Sequence, residues 1–382
     1  MEVSLAVALA LILAAVISYE LKISSAVLEI LAGMGLALFM VDISHTDWLE
    51  FLANLGMLAL MFVAGFELRV RELRQNWLSS TCIGVSSFVL PFAGVYALCS
   101  LWLGMNFLQS ALIGIGLSTT SLALVYHLLK EQSLLRTREG QVMFSSASVV
   151  DVLSMVTLAI LLGEVGLGTF IFAVIFVFCL LALPRFGLWM FKRYPGSLAQ
   201  PELRFLMVVI VGMGSMAENI GHVHPSLVAF MVGVVMARIV EDNKAVKAKL
   251  MGMVLGFFAP IFFLYSGTRI DLSSLDMEYL MVAAVMFVAA TSLKYLGTYI
   301  PARKFIKDYA GFSGILFNYR LSFGIITATV GLETGIIDEQ MFSVIMLVVV
   351  ASAAIPGFLL RADNAEAAYM EDDDIVIEDG HK

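Results

Sequence analysis

Thirteen apolar runs of about 17 to 25 residues, the length a helix needs to cross roughly 30 Å of hydrocarbon, follow one another along this chain. They lie near 3–19, 24–41, 51–68, 78–103, 107–129, 140–163, 167–191, 203–219, 223–239, 250–268, 277–300, 311–332 and 340–360. Strands that span bilayers alternate over short segments, whereas these runs are continuous, so the predicted fold class is an all-α polytopic membrane protein with about thirteen transmembrane helices. Composition agrees: 60% hydrophobic and 14% charged residues cannot make the surface of a soluble domain of 382 residues. Mean hydropathy is +0.93.

Charge at the ends of the runs predicts orientation. Twenty of the 23 Lys and Arg residues fall at or just beyond the ends of odd-numbered runs, in clusters such as Arg69, Arg71 and Arg74 or Lys244, Lys247 and Lys249. Arg269 falls on the other face, and Lys294 and Arg320 are left inside the membrane. The positive-inside rule then puts the N-terminus outside and the C-terminus in the cytoplasm, with the chain in the cell (inner) membrane. No basic segment precedes the first run, which reads as a retained helix rather than a cleaved signal. Residues 362–382 form an acidic cytoplasmic tail with Glu371, Asp372, Asp373 and Asp374, expected to be solvated, and no folded soluble domain is expected there. Cys82, Cys99 and Cys179 have no metal spacing and read as small core hydrophobes.

Polar residues inside the runs are few, and they carry the chemistry. Asp151 is the one carboxylate of the 140–163 run and sits near its middle, after Ser145, Ser146 and Ser148. An Asp at that depth costs roughly 2.5 to 3.5 kcal/mol, and such residues mostly face a bundle interior or a wet cavity where they handle ions or protons. Packing through hydrogen bonds to Ser145, Ser148 or Ser154 is the alternative. The fifth run breaks midway at Ser118, Thr119, Thr120 and Ser121, four hydroxyls that can offer oxygen ligands where a helix unwinds. The twelfth breaks around Asn318 and Arg320. These two runs cross the membrane in opposite directions, as inverted repeats with two crossed discontinuous helices require.

Lys294 lies mid-run, too deep to snorkel, and is either packed against a carbonyl or Asp151 or engaged in transport. Arg320 does not readily lose its proton, so it reads as a fixed counter-charge or a brace for helix ends. Glu29 either lines an access path or caps a helix, Glu67 reads as a salt bridge to the basic run after it, and Gly33, Gly35, Gly56 and Gly65 suit close helix packing. His127 reads as a packed histidine outside the site. The five histidines show no metal spacing, and His222-Val223-His224 lies in an external loop where solvation is the default, so enzymatic function has little support.

At these residues the chain resembles the monovalent cation:proton antiporters, in particular the second antiporter superfamily of bacterial sodium/proton exchangers and glutathione-gated potassium efflux proteins. The resemblance rests on Leu28-Glu29-Ile30-Leu31-Ala32-Gly33, Phe62-Val63-Ala64-Gly65-Phe66-Glu67-Leu68, Ser118-Thr119-Thr120-Ser121, the Asp151 helix, Pro260-Ile261-Phe262-Phe263 with Gly267, the Lys294 helix, and Asn318-Tyr319-Arg320 followed by Gly331-Leu332-Glu333-Thr334-Gly335. It implies a core of crossed broken helices moving against a scaffold that forms a homodimer, with Asp151 binding cation and proton alternately. The implied organisation is scaffold at 1–76 and 201–272, core halves at 77–165 and 273–361, and a linker helix at 166–200. Many electrogenic members carry two acidic residues or Asn-Asp where this chain has Val150-Asp151, and Gly commonly follows at the position of Leu321. The first departure removes one titratable group.

The expected function is therefore secondary transport, exchange of sodium or potassium for protons at Asp151, with Ser118, Thr119 and Thr120 as further oxygen ligands, Lys294 and Arg320 balancing charge, and Asn318 and Ser148 in support. A sodium-coupled small-solute symporter and a non-transporting membrane sensor are the alternatives. No cofactor and no resident metal is expected; the partners are a monovalent cation, protons and membrane lipid, with no nucleic acid.

Overall fold

A computed structural model describes residues 2–21, 24–39, 43, 46–66, 76–163, 167–194, 200–221, 223–271 and 275–354. Glu67, the cluster Arg69 to Arg74 and the acidic tail lie outside them, as does the side chain of His127. Among the described residues all regular structure is helical. The first three helices are α1 (Glu2–Leu21), α2 (Ser25–Phe39) and α3 (Asp47–Phe66). After them come α4 (Trp77–Ala97, extended by a π-helical turn, Leu98–Trp102), α5 (Phe107–Gly116), α6 (Leu122–Glu131), α7 (Arg138–Leu162) and α8 (Leu167–Arg193). Then follow α9 (Pro201–Met216, with a π-helical turn Ala217–Gly221), α10 (Pro225–Asp242), α11 (Lys244–Met253), which runs through Val254–Phe258 into α12 (Ala259–Thr268), and α13 (Met277–Phe305). The chain continues through α14 (Ala310–Leu316) and α15 (Ser322–Glu333), and α16 covers Glu339–Ala354.

Eight helices among the described residues are long and apolar enough to cross a membrane, and the rest of the apolar helix is in shorter pieces. The fifth and twelfth runs are each two short helices, so a count of thirteen crossings depends on joining halves. Local signals set the ends. Asn106 and Gln109 form a reciprocal capping box before α5, the Thr137 hydroxyl accepts from the Gly140 amide before α7, and Asp276 caps α13 through the amides of Glu278 and Tyr279.

The helices pack in two groups. In one, α12 lies along α2 and α3, α10 along α3, and α8 and α9 cover α10. In the other, α4 lies between α13 and α7, the half-helices α5, α6 and α14 pack on these, and α15 packs on α5. Helix α8, expected as a linker, packs with the first group. A continuous apolar cluster, including Phe62, Leu112, Phe230 and Phe342, fills the interior.

Two crossings in the first group are closed by reciprocal glycines. Where α2 meets α12, a Cβ on Gly33 would strike the Leu264 carbonyl oxygen and one on Gly267 the Ile30 carbonyl oxygen. Where α3 meets α10, Gly65 faces the Phe230 carbonyl in the same way and Gly233 the Phe62 carbonyl. Gly33 and Gly233 are 200 residues apart, Gly65 and Gly267 are 202 apart, and the broken segments at 117–121 and 317–321 are again 200 apart. The crossing of α2 with α12 is therefore repeated, turned over, as that of α10 with α3, which is the signature of an inverted repeat. Gly56 also backs onto a carbonyl, that of Phe258, whereas Gly35, expected in the same role, has open space around it. Of the three cysteines expected in the core only Cys99 is buried; Cys179 is half-buried and Cys82 exposed.

Because the glycine faces meet main-chain carbonyls, which cannot rotate away, Gly65→Ala and Gly233→Ala are expected to destabilise the protein by about 1 to 3 kcal/mol each. Gly212→Ala, where a Cβ meets nothing within 4 Å, is the control. Thermal melting followed by size exclusion in detergent reads the difference, and equal melting of all three variants would contradict the close crossing.

Candidate functional site

Four half-helices meet where the two broken runs cross. Helices α5 and α14 end there with their carbonyl ends, and α6 and α15 begin there with their amide ends, so opposed dipole termini converge inside the membrane. Side chains compete for the last carbonyls of the ending helices, which stops them. Ser118 Oγ donates to the Gly114 carbonyl at 2.6 Å, and Thr119 Oγ1 to that of Gly116 at 3.0 Å. In the second segment the Asn318 amide nitrogen donates to the Gly314 carbonyl at 3.0 Å, the repeat of the Ser118 bond 200 residues later. The two segments are tied to each other: the Ser121 amide donates to the Tyr319 carbonyl at 2.6 Å and Thr120 Oγ1 to that of Phe317 at 3.2 Å.

Two cations complete the crossing, both fully buried at 0% exposure. The Lys294 ammonium, carried by α13, donates to the Ser118 carbonyl. It sits at the carbonyl end of α5, where a positive charge complements the helix dipole. Arg320 Nη2 donates to the Ala290 carbonyl of α13 at 2.6 Å and to Asn318 Oδ1 at 2.9 Å. Among the described residues its Nε and Nη1 have no hydrogen-bond partner, nor has the buried Ser145 hydroxyl. One turn beyond Lys294, Thr298 joins the Lys294 carbonyl and the Ser87 hydroxyl of α4, which fixes α13 against α4.

Asp151 lies midway along α7, buried at 7% exposure, and is within electrostatic reach of Lys294, as is Arg320. Ser148, one turn earlier, turns its hydroxyl back to the Phe144 carbonyl, and Ser154 bonds the Val150 carbonyl. The hydroxyls of Ser118, Thr119, Thr120 and Ser148 thus each spend their proton on a carbonyl, which leaves oxygen lone pairs facing away from it. Ten residues beyond Asp151, about 15 Å of helix rise, Leu161 lines a cavity of ≈ 800 Å³ between the two helix groups. Glu50, Glu218, Glu333 and His224 stand around it.

Several placements differ from the sequence expectations. Glu29 is the fifth residue of α2, buried and hydrogen-bonded to Ser25, so it does not cap that helix. His224, expected in a solvated loop, caps α10: its Nδ1 accepts from the Ser226 amide at 3.3 Å. The backbone carbonyls of Phe317, Tyr319 and Ala290, which hold the crossing together, carry no side-chain signal at all.

The family described as "Sodium/hydrogen exchanger, transmembrane" matches residues 6–362. A Methanocaldococcus jannaschii protein named "Probable Na(+)/H(+) antiporter 3" is 27% identical over 349 residues, covering 87% of this chain and 87% of that one. The "Na(+)/H(+)-K(+) antiporter GerN" of Bacillus cereus is 23% identical over 329 residues, covering 84% of each. The solved structure of the sodium proton antiporter MjNhaP1 from Methanocaldococcus jannaschii shares the fold, with a TM-score of 0.68 at 16% identity over 96% of this chain and 98% of that one. Family match, relatives and the crossing of broken helices agree: this multi-pass integral membrane protein belongs to the sodium/hydrogen exchangers, and is a transporter rather than an enzyme.

Proposed function

We propose that the chain exchanges sodium or potassium for protons by alternating access at a single midplane carboxylate, Asp151. The observation that carries this reading is the buried Asp151 in the middle of α7, within electrostatic reach of a lysine that itself caps the crossing. A proton and a partly dehydrated cation compete for one carboxylate, and the empty charged site is costlier to move through low dielectric than the loaded one. Exchange follows from that difference. Hard alkali cations favour oxygen ligands, and the oriented lone pairs of Ser118, Thr119 and Thr120 with the carbonyls of the unwound segments are suited to supply them. Ser148 and Asn318 support the site, the latter by holding Arg320. Sodium and potassium both occur in the names of relatives.

In this reading the group built on α4–α7 and α13–α16 is the moving core, the group built on α1–α3 and α9–α12 is the scaffold, which pairs with a second copy in a homodimer, and α8 is the linker between them in sequence. The packing supports it, since each group is tightly interlocked within itself. With the N-terminus outside and the C-terminus cytoplasmic, as the basic residues favour, the cavity at Glu333 opens on the outer face.

Three outcomes test the mechanism. Asp151→Asn is expected to abolish cation-dependent proton movement in proteoliposomes, read by a lumenal pH dye, while insertion and assembly persist; full exchange in that variant refutes it. Lys294→Gln removes the cap on the Ser118 carbonyl and leaves a buried acceptor unpaired, at about 1 to 3 kcal/mol, so it should lose thermal stability more than coupling. Unchanged melting with an altered coupling ratio would move the lysine into the proton path. Exchange is expected to be electroneutral, because Val150 beside Asp151 leaves one carboxylate there and one carboxylate holds one charge at a time. A sustained current on a solid-supported membrane that scales with flux and vanishes in Asp151→Asn would overturn the one-for-one ratio.

A further inference from the structure

The histidine His224 and the glutamate Glu333 meet across the outer cavity, one from each helix group. His224 Nε2 lies 3.5 Å from Glu333 Oε2, with side chains 12% and 37% exposed. Their chain neighbours come from opposite sides of the cleft: His224 precedes α10, and Glu333 is the last residue of α15. The histidine's other nitrogen is engaged as well. Nδ1 accepts from the Ser226 amide at 3.3 Å and lies 2.8 Å from the Ser226 hydroxyl. In the neutral ring, therefore, Nδ1 is the acceptor and Nε2–H the donor to the glutamate. A proton arriving at Nδ1 turns the cross-cleft bond into an ion pair; the Ser226 hydroxyl, a rotor, can then accept from the new N–H, while the bond from the Ser226 amide to Nδ1 is given up.

We infer that His224 and Glu333 form a proton-operated latch at the outer mouth, holding the two helix groups together when the outer face is acid. The inference rests on the proposed movement of core against scaffold and on the proposed orientation. Among the described residues, the other ionisable groups lining this cavity are Glu50 of α3 and Glu218 of the turn after α9. Tyr265 at the end of α12 is within reach of both Glu50 and Glu333 and accepts from Arg269. None of these groups takes part in cation binding at Asp151. The latch therefore changes how fast the cycle turns and leaves its coupling alone. The sign is fixed by the partner: the ionised pair exists when the histidine is protonated, and its grip is lost as pH rises.

Right-side-out membrane vesicles containing the full chain expose this pair to the bath, and everted vesicles do not. Bath pH is stepped from about 8 to about 5, the interval in which histidine changes charge, at matched proton gradients. Sodium-driven exchange in His224→Gln and in Glu333→Gln is divided by that of the unmodified protein. The ratio is expected to start near one at pH 8 and to rise about two- to fivefold at pH 5 in right-side-out vesicles only, with the double variant no different from either single one. A ratio that is flat with pH, or that rises equally in everted vesicles, overturns the latch. If the unmodified protein exchanges nothing, the transport reading fails instead, and the latch is decided by melting in detergent. There the unmodified protein should gain stability over His224→Gln as pH falls from 8 to 5, and a constant difference overturns it.

Discussion

A main chain that unwinds inside hydrocarbon must find partners for every amide and carbonyl it frees, and the rest of this structure depends on how that demand is met. At 117–121 and 317–321 the partners come from the other broken segment, from side chains that fold back on their own helix, and from the Lys294 ammonium, while Arg320 ties its segment to α13. The Ser121 amide and Thr120 hydroxyl reach the carbonyls of Tyr319 and Phe317. Lys294 takes the Ser118 carbonyl and Arg320 that of Ala290. Each buried cation thus gives at least one of its protons to a backbone acceptor, Lys294 at the carbonyl end of α5 and Arg320 partway along α13. Asp151 is different, because an acid on an unbroken helix has no helix end to serve.

The crossing also determines what the surrounding helices must be. Half-helices are too short to hold themselves in place, so α4 and α13 run full length beside them and are pinned together by Ser87 and Thr298. The other group is rigid for a separate reason. Its glycines let α2 meet α12 and α3 meet α10 with carbonyls almost touching Cα, and in lipid such close approach replaces the hydrophobic drive that water would supply. One apolar cluster runs through both groups, with Phe62 of α3 and Leu112 of α5 among its members. Apolar contact has no directional bonds to break, which is what the proposed sliding of core on scaffold needs.

Much of this was legible in the sequence, for identifiable reasons. Apolar runs announce helices because a bilayer tolerates little else. The two breaks were visible because hydroxyls and amides are rare at midplane, so Ser118 to Ser121 and Asn318 to Arg320 stand out against their neighbours. The alternatives for Lys294 included a carbonyl partner, but sequence alone does not say which carbonyl, since the Ser118 oxygen belongs to every residue type equally. His224 was misjudged because loop residues are solvated by default, and only the meeting of α10 with α15 gives it a glutamate. The glycine pairs were half legible: Gly33 and Gly65 were expected in packing, but their partners 200 residues on became meaningful only once the helices were seen to cross. Gly35, chosen on the same grounds, lines nothing, because in a helix the face matters and the residue type alone does not show it.

A ligand can shift a conformational equilibrium only by as much as its free energy differs between the two states. Under the proposed mechanism the charges of Lys294 and Arg320 travel with the core, bonded to core carbonyls in the conformation seen here. If those bonds persist through the movement, the cations contribute nearly the same energy before and after it, whatever their absolute cost. The charge at Asp151 does not cancel in this way. It is neutralised when a proton or an alkali ion is bound and exposed to low dielectric when neither is, so the barrier to movement is set by occupancy of that one oxygen pair. Fixing two charges on the backbone is what makes the third able to couple, because a lysine free to move onto Asp151 would neutralise the empty site and let it cross unloaded.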